Sequence, residues 1–216
     1  MKKQILVIGL GPFGASVAKT LTEQGHQVLG IDLDEDKVNA IADEVTQSAT
    51  ITNISEETLV SLGVKDFDIA VISISDIEAS ILFAQILIDL GIKEIVSRAQ
   101  DELHGRVLSR LGVSKVVFPE RDMGLRLANS LVSNNIIDYI ELSKEFNIFE
   151  ITALEDFFGK TISELRIRAN YNVNIIAIKK HNKKDIIVAP GSDSLIEEND
   201  ILVVIGKNSD ISKLVD

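Results

Sequence analysis

Through residue 118 the chain alternates short apolar runs with amphipathic stretches that stop at glycine, and this alternation leaves few folds open. The runs are Ile5 to Ile8, Val28 to Ile31, Val45 to Ile51, Ile69 to Ile72, Glu94 to Val96 and Lys115 to Phe118. They are rich in β-branched residues and apolar at consecutive positions, the pattern of strands buried on both faces. Between them, Phe13 to Gln24, Glu35 to Ala42, Glu56 to Leu62, Ile77 to Leu90 and Glu102 to Leu111 have helical periodicity. Asp76 is placed as an N-cap. Gly25, Gly63, Gly91 and Gly112 each follow a helical stretch, where glycine ends a helix in the left-handed region at little cost. Strand–helix alternation with such stops predicts an α/β fold with a doubly wound parallel sheet.

After Pro119 the rhythm changes. Residues 120 to 135 are predicted to form one amphipathic helix carrying Met123, Leu125, Leu127, Ala128, Leu131 and Val132. Strands are expected over Ile136 to Leu142, Phe146 to Leu154, Val173 to Ile178, Ile186 to Val188 and Ile201 to Ile205, with a short helix over Ile162 to Arg166. Turn signals at His181-Asn182, Pro190-Gly191 and Glu198-Asn199-Asp200 separate the later runs. The strand-rich end is expected to be a small α+β domain, so the sequence divides into 1–135 and 136–216.

Composition removes several function classes. The chain has 216 residues, 45% of them apolar and 25% charged, with a formal net charge of −11. That apolar share supports folded cores, and the acidic balance opposes nucleic-acid binding, which needs clustered Lys and Arg. With no cysteine, disulfides, thiolate catalysis and Cys-ligated metals are out. Lys2 and Lys3 precede too short an apolar run for a signal peptide. No apolar stretch nears the roughly 18 residues of a membrane span. A soluble, cytoplasmic protein is expected.

Gly9-Leu10-Gly11-Pro12-Phe13-Gly14 fits G-x-G-x-x-G, and it follows a buried strand and opens a helix, the context that pattern requires. Gly9 allows the tight turn, Gly11 lets the backbone approach a pyrophosphate, and Gly14 lets helix and strand pack closely. The phosphate would sit on the free N–H groups at the helix N-terminus, where Pro12 is tolerated because its missing N–H has no helical partner. Asp32 ends the next strand about 20 residues on, placed to accept hydrogen bonds from ribose hydroxyls and to repel a 2′-phosphate. A Rossmann-like nucleotide-binding domain is therefore expected. The purely structural alternative is that the glycines serve packing and Asp32 caps the following turn.

Catalytic groups do not accompany this loop. His26 falls in a turn, His104 in an amphipathic helix at a surface or packing position, and His181 in a basic turn; none has a second ligand at metal spacing. Glu197-Glu198 precedes a turn as a solvated pair. No serine elbow or Ser-x-x-Lys element stands in a fitting context. A ligand sensor, not an enzyme, is the expectation. An NAD-dependent oxidoreductase would need an acid or base on the nicotinamide side, and a redox-sensing repressor a basic helix-turn-helix.

The glycine loop, Asp32, Phe118-Pro119-Glu120-Arg121-Asp122-Met123-Gly124 and Ile167-Arg168-Ala169-Asn170-Tyr171, in that order, resemble the RCK or TrkA-type family, regulators of potassium conductance. The likeness covers essentially the whole chain and is strongest to the regulatory subunits of Ktr-type bacterial potassium uptake systems. It implies an RCK N-terminal domain over 1–135, including a crossover helix that ties two subunits together, and an RCK C-terminal domain over 136–216. It implies homodimers assembled into a ring, an octamer in such subunits, bound to a membrane potassium-transporter subunit at the inner face of the cell membrane. Another cation channel or antiporter is the alternative target.

The same resemblance assigns ligands. ATP or ADP, with NAD as the alternative, would lie on Gly9, Gly11, Pro12, Phe13 and Gly14, with Asp32 on the ribose and Asn53, Ser73 and Arg98 lining the site. Glu120 would sit near the phosphates and help hold a divalent cation. Cyclic di-AMP is a further candidate ligand of the C-terminal half, at Ile167, Arg168, Ala169, Ile175, Ile176 and Pro190. There Arg168 supplies a phosphate partner, and the two isoleucines and the proline an apolar platform. Three departures stand out: Pro12 where relatives often carry an arginine for the terminal phosphate, Ser73-Ile74-Ser75-Asp76 where they often have a glycine, and Asn170 and Asn172 where Lys and Gly are common.

Overall fold

The computed structural model of the chain describes residues 2–132, 135–143, 145–181 and 185–215. They fall into two compact units, Met1–Arg121 and Asp122–Asp216.

In the first unit, strands β1 (Gln4–Ile8), β2 (Gln27–Asp32), β3 (Gln47–Thr50), β4 (Ile69–Ile72), β5 (Glu94–Arg98) and β6 (Lys115–Val117) alternate with helices α1 (Pro12–Glu23), α2 (Glu35–Ile41), α3 (Glu56–Ser61), α4 (Ile77–Asp89) and α5 (Glu102–Leu111). The strands form one parallel sheet in the order β3-β2-β1-β4-β5-β6. The chain moves outward from β1 to β3, then returns to β4 on the other side of β1, so the winding reverses between β1 and β4. Alternation along β1 divides the core. Ile5 and Val7 pack with Ala18, Val38 and Ile41 of α1 and α2, and Leu6 and Ile8 pack with Leu59, Phe83 and Leu108 of α3, α4 and α5. Both faces are thus covered, which is why the strands are apolar at successive positions. Gly25, Gly63, Gly91 and Gly112 all hold positive φ, as expected of residues that end helices.

Helix α6 (Pro119–Val132) starts at Pro119, one residue before the sequence-based expectation, and residues 133–134 at its far end lie outside the described residues. The two units divide within its first turn rather than after its last. Arg126 of α6 pairs with Asp138 of the following strand in a bidentate way, through Nε and Nη2 of one guanidinium edge. That hydrogen-bonded pairing holds the Asp138 carboxyl below the usual carboxylate range.

The second unit continues through β7 (Ile136–Glu141), β8 (Phe146–Thr152), β9 (Lys160–Thr161), α7 (Ile162–Leu165), α8 (Ile167–Tyr171), β10 (Asn174–Lys179), β11 (Ile186–Val188), β12 (Leu195–Ile196), β13 (Ile201–Lys207) and α9 (Asn208–Val215). Five strands form an antiparallel sheet, β11-β10-β13-β8-β7, and β12 pairs with β9. Its core joins Ile151, Ile178, Leu202 and Val204 of the sheet to Ile167 of α8 and Ile211 and Leu214 of α9. Lys180 fastens the turn before β13: its ammonium lies 2.7 Å from buried Asp200 and 3.1 Å from Glu197 and donates to the carbonyl of Leu195. Asn199 sits in that turn at φ 63°. Of the turns expected from sequence, Asn182 lies outside the described residues. No helix among those described is long and apolar enough to cross a membrane.

Candidate functional site

A cavity of about 590 Å³ opens over the carboxyl ends of the strands where the winding of the first unit reverses. Open α/β sheets bind ligands at this place, and the volume falls in the range of small-molecule sites. Its walls are the β1–α1 loop, the end of β2 with the start of α2, the β4–α4 loop, Arg98 at the end of β5, and Glu120.

The loop glycines serve different ends. Gly9 holds φ +90°, and a Cβ there would stand 3.0 Å from the backbone of Ser73. Its N–H donates to the carbonyl of Ile31. At Gly14 a Cβ would come within 1.9 Å of the Gly9 carbonyl oxygen, so this residue is glycine for packing. A Cβ on Gly11 would meet nothing within 4 Å, and Gly11 lines the cavity. Gly11 is also the N-cap of α1, with no side-chain hydrogen bond and with Pro12 following. The first N–H groups of a helix have no partner within it. Helices α2, α3, α4 and α5 cover theirs with Asp34, Ser55, Asp76 and Asp101. Helix α1 has no such cap, and its open end faces the cavity, with the positive end of the helix dipole there.

Asp32 does two jobs. Its Oδ2 accepts from Leu10 N–H at 2.7 Å and its Oδ1 from Asp34 N–H at 2.9 Å. The carboxylate therefore pins the glycine loop and shapes the turn into α2. The residue lines the cavity although only 9% of its surface is exposed. Each carboxylate oxygen has a second lone-pair direction, which leaves capacity for a sugar hydroxyl. Lys37, on the first turn of α2, places its ammonium 3.9 Å from Asp32 Oδ1 and 3.5 Å from Asp34 Oδ2.

On the opposite wall the Arg98 guanidinium is held from two sides. It donates from Nε to Glu120 Oε2 at 3.2 Å, stands 2.6 Å from Glu120 Oε1 through Nη2, and donates from Nη1 to Ser75 Oγ at 2.9 Å. Ser73, at the end of β4, is buried, and its Oγ has no hydrogen-bond partner among the described residues. Behind this wall His104 of α5 is buried against Ser80 of α4, with Nε2 2.7 Å from Ser80 Oγ and Nδ1 accepting from Gln100 N–H at 3.3 Å. Burial lowers its pKa against a smaller opposing pull from Asp101. His104 is thus a packing residue of the kind the sequence allowed.

Of the residues singled out in the sequence, Gly9, Gly11, Pro12, Phe13, Asp32, Ser73, Arg98 and Glu120 line one cavity. Gly14 lies beneath it. Asn53 is not in the lining: its Oδ1 accepts from Thr58 Oγ1 at 2.6 Å beside the start of α3, which turns it to a local role. Ser75 and Asp76, part of the Ser73-Ile74-Ser75-Asp76 departure, also line the cavity, and so does Lys37, which was not anticipated. Lys37 falls on the first turn of a helix that follows the acidic strand end, which is the one signal that would have found it. In the second unit Ile167 is core, 3% exposed, whereas Arg168 and Ala169 beside it are exposed. Ile175 and Ile176 fall at a bulge in the β10–β13 pairing, and Pro190 follows Ala189, whose φ is 50°. Glu120 belongs to no cluster of three His, Asp or Glu placed to hold a metal, and no such cluster occurs among the described residues.

Comparison with known proteins agrees with the geometry. The TrkA-N domain family matches residues 5–119 and the TrkA-C domain family residues 148–216. The chain is 44% identical over 214 residues to Ktr system potassium uptake protein C of Bacillus subtilis, covering 99% of this chain and 96% of that one. It is 41% identical over 213 residues to Ktr system potassium uptake protein A of the same organism, covering 98% and 95%. The crystal structure of the GsuK RCK domain superposes with a TM-score of 0.70 at 20% identity, over 100% of this chain and 47% of that chain; that likeness shows the fold. The glycine loop at the reversal of a parallel sheet, the small antiparallel unit after it, and two full-length relatives above 40% identity lead to one assignment: the chain belongs to the TrkA-type, or RCK, family.

Proposed function

We propose that this chain is a cytosolic regulatory subunit of a potassium uptake system and that it senses an adenine nucleotide in the cavity of the first unit. The observation that carries the reading is the uncapped end of α1 beside the buried carboxylate of Asp32 at the reversal of the sheet. Phosphates suit the helix end, and ribose hydroxyls suit the carboxylate. ATP or ADP is the proposed ligand, with NAD as the alternative. Arg98 is the candidate phosphate cation in place of an arginine at Pro12. Glu120 is the proposed carboxylate for a divalent cation, whose other ligands would be phosphate oxygens and water. The chain is proposed to act by binding, not by catalysis.

The second unit is proposed as the C-terminal ligand domain, with cyclic di-AMP meeting Arg168, Ala169, Ile175, Ile176 and Pro190 where two copies adjoin, and Ile167 holding that segment to the core. Subunits pair and build a ring, an octamer in this proposal, docked on a membrane potassium-transporter subunit at the inner face of the membrane. The nucleotide shifts the ring between states by binding one better than the other. The resemblance to two Ktr potassium uptake proteins along nearly their whole length supports the partner.

Calorimetric titration of the purified chain with ATP, ADP, NAD and cyclic di-AMP tests the ligands. Binding of an adenine nucleotide that Asp32→Asn weakens about tenfold is expected; no binding by any of the four overturns the reading. Co-purification with a membrane potassium-transporter subunit tests the partner.

A further inference from the structure

Each of the two cations that line the cavity is committed to carboxylates on its own wall. Lys37 stands between Asp32 and Asp34. Arg98, with a side chain 16% exposed, gives the two donors of its Nε–Nη2 edge to Glu120 and a third donor, Nη1, to Ser75. A guanidinium is planar, permanently charged and suited to phosphate, and it suits a carboxylate in the same bidentate way. The Arg98 edge that faces Glu120 is thus an edge a phosphate would use. Arg98 is half sunk at the end of β5, whereas Glu120 is the exposed and replaceable partner, its side chain 63% exposed on the first turn of α6. Such a pair contributes little to folding, and its clearest effect is on the charge the cavity offers.

We propose that the Arg98–Glu120 pair is a charge latch: Glu120 neutralises the guanidinium until a polyphosphate or a divalent cation draws the carboxylate off it. This rests on the nucleotide reading above and deepens it. It makes Glu120 a specificity residue that opposes anionic ligands when no divalent cation is present, and it makes Arg98 the group that reads ligand charge. Adenosine, which lacks phosphate, should be indifferent to the latch. A divalent cation takes the Glu120 oxygens, frees Arg98 and tightens ATP in the unaltered chain. Because the latch ends on the first residues of α6, ligand charge is registered at the start of the helix that leads into the second unit.

The experiment is calorimetric titration of the full chain with ATP, ADP and adenosine, in EDTA and again with magnesium, for wild type, Glu120→Gln, Arg98→Gln and the double variant. In EDTA, Glu120→Gln should bind ATP about fivefold tighter, leave adenosine unchanged and lose most of the magnesium effect. Arg98→Gln should weaken ATP, and adding Glu120→Gln to it should change nothing further. Circular dichroism confirms that each variant is folded, and Ser75→Ala, which loosens Arg98 without altering charge, is the control for mere mobility. If ATP binds the wild type and Glu120→Gln leaves it unchanged or weakens it in EDTA, the latch is wrong while the nucleotide site stands. If neither ATP, ADP nor adenosine binds the wild type or Glu120→Gln, the nucleotide reading fails and the latch with it.

Discussion

Gly11 and Gly14 stand three residues apart in one motif and answer to different constraints. A methyl group at Gly14 would press on the Gly9 carbonyl oxygen and on Ser73, so Gly14→Ala should cost about 3 kcal/mol, the upper range of overpacking, and should show in thermal unfolding without ligand. Gly11→Ala meets open space and should cost at most about 1 kcal/mol as a cap substitution, yet weaken nucleotide binding. His104 makes a pH prediction. Burial holds its folded pKa below that of the unfolded chain, so its contribution is present in full above the ordinary histidine pKa of about 6.5 and is lost as pH falls below it. Chemical denaturation at pH 7 and pH 5 should show lower stability at pH 5, and His104→Gln should flatten that slope. At this scale the motif gave Gly9, Gly11 and Asp32 because spacing alone defines them. It could not give Lys37, which reaches the cavity only through the position of α2. Asn53 is outside the lining because a residue just past a strand end is free to turn to the start of the next helix, where its side chain meets Thr58.

Among the elements, β1, β2, β4 and β5 were legible because they bury apolar runs, and α1, α3, α4 and α5 because a glycine follows each. Helices α7 and α8 are shorter than two turns, so no period could announce α8, and Arg166 between them sits at φ 46° without being a glycine. Strands β9 and β12 are two residues each and owe their existence to each other. Helix α9 has two buried apolar residues, Ile211 and Leu214, too few to stand out. Helix α6 presents Met123 at 60% exposure and Leu131 at 74%, a surface suited to subunit pairing. On the proposed assembly, the double substitution Met123→Glu, Leu131→Glu should shift the chain toward monomer in light scattering while its circular dichroism spectrum is kept. An unchanged mass would remove α6 from the interface.

For the molecule as a whole, the fold class was legible at the level of strand–helix rhythm. Hydrophobic pattern places the division after the long helix, and the compact units meet within its first turn, with Arg126 of that helix paired to Asp138 of β7. A ligand that binds only the folded first unit adds stability by mass action, about 2.7 kcal/mol at a hundredfold excess over its dissociation constant. ATP should therefore raise the unfolding temperature of the wild type and raise that of Asp32→Asn much less at the same concentration. The bare start of α1 has a kinetic corollary. Amides of Phe13 and Gly14 should trade hydrogen for deuterium sooner than the corresponding amides of α4, where Asp76 caps the Ala79 N–H, and a seated anion should reverse that ranking. The helix would then record arrival of ligand as a slowing of exchange at its first turn, legible by mass spectrometry even where no atom moves.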